Sequence, residues 1–69
     1  MLKLADLFDT LNNGVEFEVY VGKQADSVIH KVYQKDIEIP EELKHKRVNH
    51  IGVGCDYTDN PFMVIELEA

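Results

Sequence analysis

The chain has 69 residues, a formal net charge of −6 at pH 7 and one cysteine, Cys55. This length predicts a single domain over 1–69, and one cysteine excludes both an internal disulfide and a thiolate-rich zinc site of the two-pair type. The acidic balance disfavours direct binding to nucleic acid, because phosphate contacts need a basic surface.

The first predicted element is an amphipathic helix over roughly 2–12. The i, i+3, i+4 and i+7 positions of one helical stripe are occupied by Leu4, Leu7, Phe8 and Leu11. Asn12 and Asn13 then precede Gly14, which suits the left-handed position that follows many helix C-termini. We therefore expect the helix to end here and to place its apolar stripe on the core.

Two strands follow, and they are predicted to form a hairpin. In the segment 15–21 apolar residues alternate with polar ones, and the apolar set is Val15, Phe17, Val19 and Val21. Such alternation is typical of a half-buried strand. A loop over 22–26 connects it to a second strand, expected from Ser27 to about Lys35, in which the alternation is less regular.

A short helical turn and a second hairpin complete the chain. Pro40 in the first turn, acids after it and cations at its end favour a helix over 39–46. A third strand is expected over 47–55, where Gly52 and Gly54 indicate a bulge, a bend or close packing of another backbone. A turn over 56–61 then leads into a fourth strand over 62–68.

This order of elements predicts an α+β fold of the form α-β-β-short α-β-β. We expect a small four-stranded antiparallel sheet made of the two hairpins, with the N-terminal helix packed on its apolar face. The alternative is a small barrel of SH3-like or Sm-like form. No apolar run approaches the roughly 20 residues of a membrane span, and Asp6 and Asp9 interrupt the one run that resembles a signal peptide, so we expect a cytoplasmic protein.

The main candidate for a binding surface is a set of carboxylates on the first and last strands. Its members are Glu16, Glu18, Glu66 and Glu68, with Asp56 and Asp59 in the turn before the last strand. Each glutamate pair is spaced by two residues, so each pair projects from one face of its strand. If the two strands are neighbours, the four glutamates share one polar face; otherwise they are separate solvated positions.

A second candidate is a basic cluster formed by Lys44, Lys46 and Arg47, with Lys31 and Lys35 nearby in sequence. These cations suit contact with a phosphate or with an acidic protein surface. The competing interpretation is that they complement the C-terminus of the short helix.

Residues that could bind a metal lack the spacing that metal sites need. The acidic turn residues Asp56, Asp59 and Asn60 have neither the alternate positions nor the central glycine of a calcium loop, and they suit a turn. The histidines, His30, His45 and His50, show no helical metal-ligand spacing. We therefore predict no metal site.

The single cysteine does not have the surroundings of a nucleophile. Cys55 precedes Asp56, and a reactive thiol needs an electropositive setting, so a buried or half-buried structural cysteine is expected. No nucleophile, base and orienting group can be assembled from the remaining residues. We therefore predict a protein that is not an enzyme and that carries no cofactor.

The layout of the chain carries a resemblance to a known group of proteins. The opening segment 2–11 leads into a glutamate-rich alternating strand, and Ile39-Pro40-Glu41-Glu42-Leu43 follows later. This layout resembles short, acidic, uncharacterised proteins of phages and mobile elements of Firmicutes, over most of the chain. The resemblance implies a context and no particular binding residues: small phage proteins often bind and block a host protein, as anti-CRISPR proteins do.

Three functions are compatible with these features. The leading hypothesis is a small acidic binding protein, phage-borne and anti-CRISPR-like, that inhibits or modulates a host nucleic-acid-handling protein by placing its carboxylates in a basic groove. The second is a homo-oligomeric structural or assembly module, since a small open sheet leaves exposed edges. The third is a weak nucleic-acid-binding small barrel that uses the basic cluster.

Overall fold

The computed structural model describes residues 2–69 and contains two short helices and four strands. The helices are α1 (Leu4–Phe8) and α2 (Glu41–Lys44), and the strands are β1 (Glu16–Val21), β2 (Ile29–Val32), β3 (Val48–Cys55) and β4 (Pro61–Leu67). This element order is the predicted one, and the α+β class is confirmed. Neither helix in this part of the chain is long and apolar enough to cross a membrane.

Helix α1 is shorter than the helix predicted over 2–12. The amide and the hydroxyl of Thr10 both donate to the Leu7 carbonyl, at 3.0 and 2.7 Å, and this tighter turn replaces the regular i to i−4 pattern after Phe8. Gly14 does have a left-handed φ of +95°. It lies beyond the helix, however, and its N–H donates to the Tyr33 carbonyl at 2.9 Å, which joins the start of β1 to the end of β2.

The sheet is open and mixed, with the strand order β2-β1-β4-β3. β1 pairs antiparallel with β2 and β3 pairs antiparallel with β4, so both predicted hairpins are confirmed. The hairpins join through β1 and β4, which run parallel. The purely antiparallel sheet was therefore a wrong prediction, as was the alternative of a closed barrel. The physical reason is the long connection through α2, which takes the chain from one edge strand to the other.

The core lies between one face of the sheet and the two helices. The fully buried residues are Leu4 of α1, Phe17 and Val19 of β1, and Ile65 and Leu67 of β4. The Phe8 ring of α1 lies 5.2 Å from the Phe17 ring and 5.5 Å from the Tyr33 ring, between ring centroids. Burial of each large apolar side chain contributes about 1.5–3 kcal/mol. The alternation predicted for the first and last strands thus places the core correctly.

Candidate functional site on the open face of the sheet

The candidate site lies on the face of the sheet that points away from the helices. Glu16, Glu18 and Tyr20 alternate with the buried Phe17 and Val19 along β1 and therefore project from this opposite face. We call it the open face. The cross-strand register adds residues of the other three strands, which are His30 on β2, Phe62, Val64 and Glu66 on β4, and His50 on β3.

The adjacency of β1 and β4 brings three of the predicted carboxylates together. Glu18 lies opposite Val64 and Tyr20 lies opposite Glu66 in the parallel pair. Glu16, Glu18 and Glu66 consequently share the open face. The fourth glutamate, Glu68, follows the end of β4, where its carboxylate accepts a hydrogen bond from the backbone N–H of Arg47 at 3.2 Å and approaches the Arg47 side chain at 3.8 Å.

His30 bridges the two glutamates of β1, and sequence reasoning had assigned it no role. Its Nε2 lies 2.6 Å from Oε2 of Glu16, and its Nδ1 lies 3.1 Å from Oε1 of Glu18. The signal that would have found this bridge is the hairpin register, which pairs Glu18 directly with His30.

Glu18 is held from both sides. Its second oxygen, Oε2, accepts a hydrogen bond from the Tyr20 hydroxyl at 2.7 Å, and its side chain is only 14% exposed. This hydrogen bond, with partial desolvation and the charges of Glu18 and Asp26, raises the pKa of Tyr20 above 10.0. Tyr20 therefore remains a protonated donor at neutral pH, and Glu18 is the most constrained acid of the open face.

An aromatic residue lies beside these acids. The Phe62 ring lies 5.7 Å from the His30 ring, between centroids, and covers Gly54 of β3. A Cβ at Gly54 would come within 2.8 Å of the ring, whereas a Cβ at Gly52 would have no neighbour within 4 Å. Gly54 is thus closely packed, but by the side-chain ring of Phe62 and not, as predicted, by another backbone. The open face thus places an aromatic side chain beside the glutamates of β1.

The acidic turn between β3 and β4 uses Asp56 to organise its backbone. Oδ1 of Asp56 accepts hydrogen bonds from the Thr58 amide at 2.8 Å, the Thr58 hydroxyl at 2.6 Å and the Asn60 amide at 3.1 Å. These bonds, the Thr58 hydroxyl first, lower the pKa of Asp56 below 3.8. Asp59 adopts a left-handed φ of 62°. The turn prediction is confirmed, and Asp56 and Asp59 lie at one end of the sheet and outside the open face.

The remaining titratable residues are distributed over separate elements. His45 lies 3.4 Å from Glu41 after α2, and His50 lies 3.9 Å from Glu66 on the open face. Within residues 2–69, no group of three or more His, Cys, Asp or Glu side chains is arranged to hold a metal ion. Cys55 is exposed at the end of β3, so the prediction of a buried or half-buried cysteine was wrong. The reason is that β3 extends past the helices that would cover it.

The basic cluster is divided in the structure. Lys44 lines a groove of about 190 Å³ on the helix side, whose other walls are Ala5, Phe8, Asp9, Tyr33, Lys35, Ile37 and Ile39. Arg47 lies instead beside Glu68, and Lys46 lies between them in sequence with its backbone bonded to α1. The groove is smaller than the roughly 300–1,000 Å³ of typical ligand pockets. Lys35 and Lys44 therefore line the groove, whereas Arg47 pairs with Glu68.

Comparisons of the chain with protein-family models, with curated proteins and with solved structures found no match in any of the three.

Proposed function

We propose that this chain is a small non-enzymatic binding protein whose open face docks on a positively charged surface of a partner. The observation that carries the proposal is the parallel pairing of β1 with β4, which gathers Glu16, Glu18 and Glu66 on one face. The partner we expect is a host protein that handles nucleic acid. The carboxylates would compete there with phosphate groups for a basic groove, so that binding inhibits the partner.

The composition of the open face supports such an interaction. Glu16 and Glu18 both contact the His30 ring, within 3.1 Å, whereas Glu66 has only His50 beside it, at 3.9 Å. Carboxylates that face a basic surface accelerate association and select the partner. Phe62 and Val64 add apolar area that can be buried in the interface.

The resemblance to short acidic phage proteins gives this mechanism its biological setting. A phage-borne inhibitor of the anti-CRISPR type acts by occupying a site on a host protein, and it needs a surface and no active site. We therefore attribute the function to the shape and the charge pattern of the open face, which would fit a partner's groove that normally holds nucleic acid. This setting predicts that binding weakens steeply as salt concentration rises.

The test is a capture experiment with a matched charge control. Tagged protein is incubated with a nuclease-treated Firmicute lysate, and the retained proteins are identified by mass spectrometry at low and high salt. The double variant Glu16→Lys/Glu18→Lys reverses charge on the open face. The control Asp36→Lys/Glu38→Lys makes the same change in net charge at exposed residues between β2 and α2.

We expect one dominant nucleic-acid-handling protein to be retained by the wild type and by the control, and to be lost from the open-face variant and in high salt. Circular dichroism checks that both variants fold. Equal retention by the folded open-face variant would contradict the proposal, as would loss of the partner from the control alone.

A further inference from the structure

β3 forms one edge of the sheet, and its one register shift, between Val48 and His50, lies at the beginning of the strand. Natural edge strands are short, or carry lysine, proline or other charges. The opposite edge, β2, is four residues long and carries Lys31. β3 is eight residues long, and between Val48 and Cys55 it has no proline, lysine, arginine, aspartate or glutamate.

The apolar residues of β3 continue the core face beyond the reach of the helices. Ile51 lies opposite Ile65 and Val53 lies opposite Met63, so both project from the covered side of the sheet. Ile65 is fully buried, yet Ile51 is 48% exposed and Val53 is 79% exposed. An apolar strip therefore lies directly along the unpaired edge.

Only the beginning of this edge is occupied by the chain itself. The Val48 amide donates to the Leu2 carbonyl at 2.8 Å, and the Leu4 amide donates to the Lys46 carbonyl at 3.1 Å. The segment 2–4 therefore covers the edge as far as Val48. The uncovered part runs over 49–55, and its midpoint is Gly52.

We propose that β3 pairs antiparallel with β3 of a second copy of this chain, across a twofold axis that passes through Gly52 perpendicular to the sheet. Such an axis places residues of the same face opposite each other. Ile51 then faces Val53 of the second copy on the covered side. On the open side, His50 faces Gly54 of the second copy and lies beside the Phe62 ring that covers that glycine.

The charges at the two ends of the strand favour this orientation. Lys3 and Arg47, the latter beside Glu68, flank the beginning of β3, and Asp56 and Asp59 follow its end. Antiparallel pairing brings the cationic end of one copy beside the acidic end of the other. A parallel arrangement would place like charges together at both ends, at a cost in free energy.

The pairing gives one continuous sheet with both open faces on the same side. An interface made of one strand pair is at or below the roughly 1,200–2,000 Å² of stable protein complexes. We therefore expect a reversible dimer whose population rises with protein concentration. This inference is independent of the proposed function, because it concerns the edge and the covered face and requires no partner.

Sedimentation velocity across a concentration range tests the interface. We expect the wild type to shift from monomer to dimer as its concentration rises. Val53→Lys should raise the dimer dissociation constant at least about tenfold, since it puts a charge in the apolar strip. Val32→Lys is the matched control on the other edge, where Val32 is 49% exposed, and it should dimerise as the wild type does. A wild type that stays monomeric throughout, or a Val53→Lys variant that dimerises normally, would overturn the proposal.

Disulfide trapping tests the register in a Cys55→Ser background. Cα atoms of directly opposed antiparallel residues lie about 4.5–5.5 Å apart, within the range that a disulfide can bridge. Gly52→Cys should therefore form a covalent dimer under mild oxidation, and the open space around Gly52 accommodates the new side chain. Asn49→Cys should not, because the two copies of position 49 lie at opposite ends of the pairing. Efficient trapping through position 49 and none through position 52 would overturn the Gly52-centred pairing.

Discussion

At the scale of single residues, the strongest local organisation comes from one carboxylate oxygen. Oδ1 of Asp56 accepts three hydrogen bonds from Thr58 and Asn60, and these close the turn between β3 and β4. An aspartate that accepts amide hydrogen bonds a few residues ahead is a common way to build a turn. The position of β4 beside β3 thus depends on a local motif that the sequence shows directly.

We expect Asp56 to make the stability of the protein depend on pH in a defined direction. Its pKa in the folded state is lowered below 3.8 by the hydrogen bond from Thr58, so the folded state binds the proton less readily than the unfolded state. The stabilising effect of the carboxylate is therefore present above pH 3.8 and is lost as the pH falls through the folded-state pKa.

Urea unfolding of Asp56→Asn and Asp56→Ala over a pH series measures this effect. Asparagine can still accept the backbone hydrogen bonds, so at neutral pH we expect stability to decrease from wild type to Asp56→Asn to Asp56→Ala. The difference between wild type and Asp56→Asn should shrink as the solution becomes more acidic than the usual aspartate pKa. A difference that stayed constant with pH would show that the charge of Asp56 does not contribute.

At the scale of elements, the sequence is most informative where a pattern is local. Alternation along β1 and β4 correctly identifies Phe17, Val19, Ile65 and Leu67 as core residues. The predicted end of α1 was too late in the chain. The hydrogen bonds from Thr10 to the Leu7 carbonyl end the helix early, and the spacing of apolar residues does not reveal them. His30 was missed because its contact with Glu16 and Glu18 depends on the register of a hairpin.

The contact between β3 and β4 at Gly54 provides a test of packing on the open face. Gly54→Ala brings a methyl group to 2.8 Å from the far end of the Phe62 ring, so the half-buried ring must move and we expect a loss of up to about 1 kcal/mol in the free energy of unfolding. Gly52→Ala is the control: it meets nothing within 4 Å and should be neutral or stabilise by up to about 1 kcal/mol.

Denaturant unfolding at low protein concentration, where the chain is monomeric, measures both variants. Adding Phe62→Ala to Gly54→Ala should remove the clash, so the two substitutions are expected to show a coupling free energy. Equal effects of alanine at the two glycines would mean that the Phe62 ring does not cover Gly54 as described.

At the scale of the whole molecule, the docking of the two hairpins decides what the surface offers. Each hairpin can be predicted from the sequence of its own segment. The parallel pairing of β1 with β4, which joins the two hairpins, is a long-range contact that no local pattern specifies. The glutamates of the open face could therefore be predicted to share one face only on the condition that the first and last strands are neighbours. Two short helices cover one face of the sheet, and the other remains free for binding.

This division of the two faces leads to the central claim, that the open face is the surface that meets a cationic partner. In a nuclear magnetic resonance titration of isotopically labelled protein with an oligolysine peptide, amide shifts identify the contacted residues. We expect the largest changes at Glu16, Glu18, Tyr20 and Glu66, with reduced changes at higher salt. Changes spread evenly over all acidic residues, or centred on the helix side at Asp36 and Glu41, would contradict the claim.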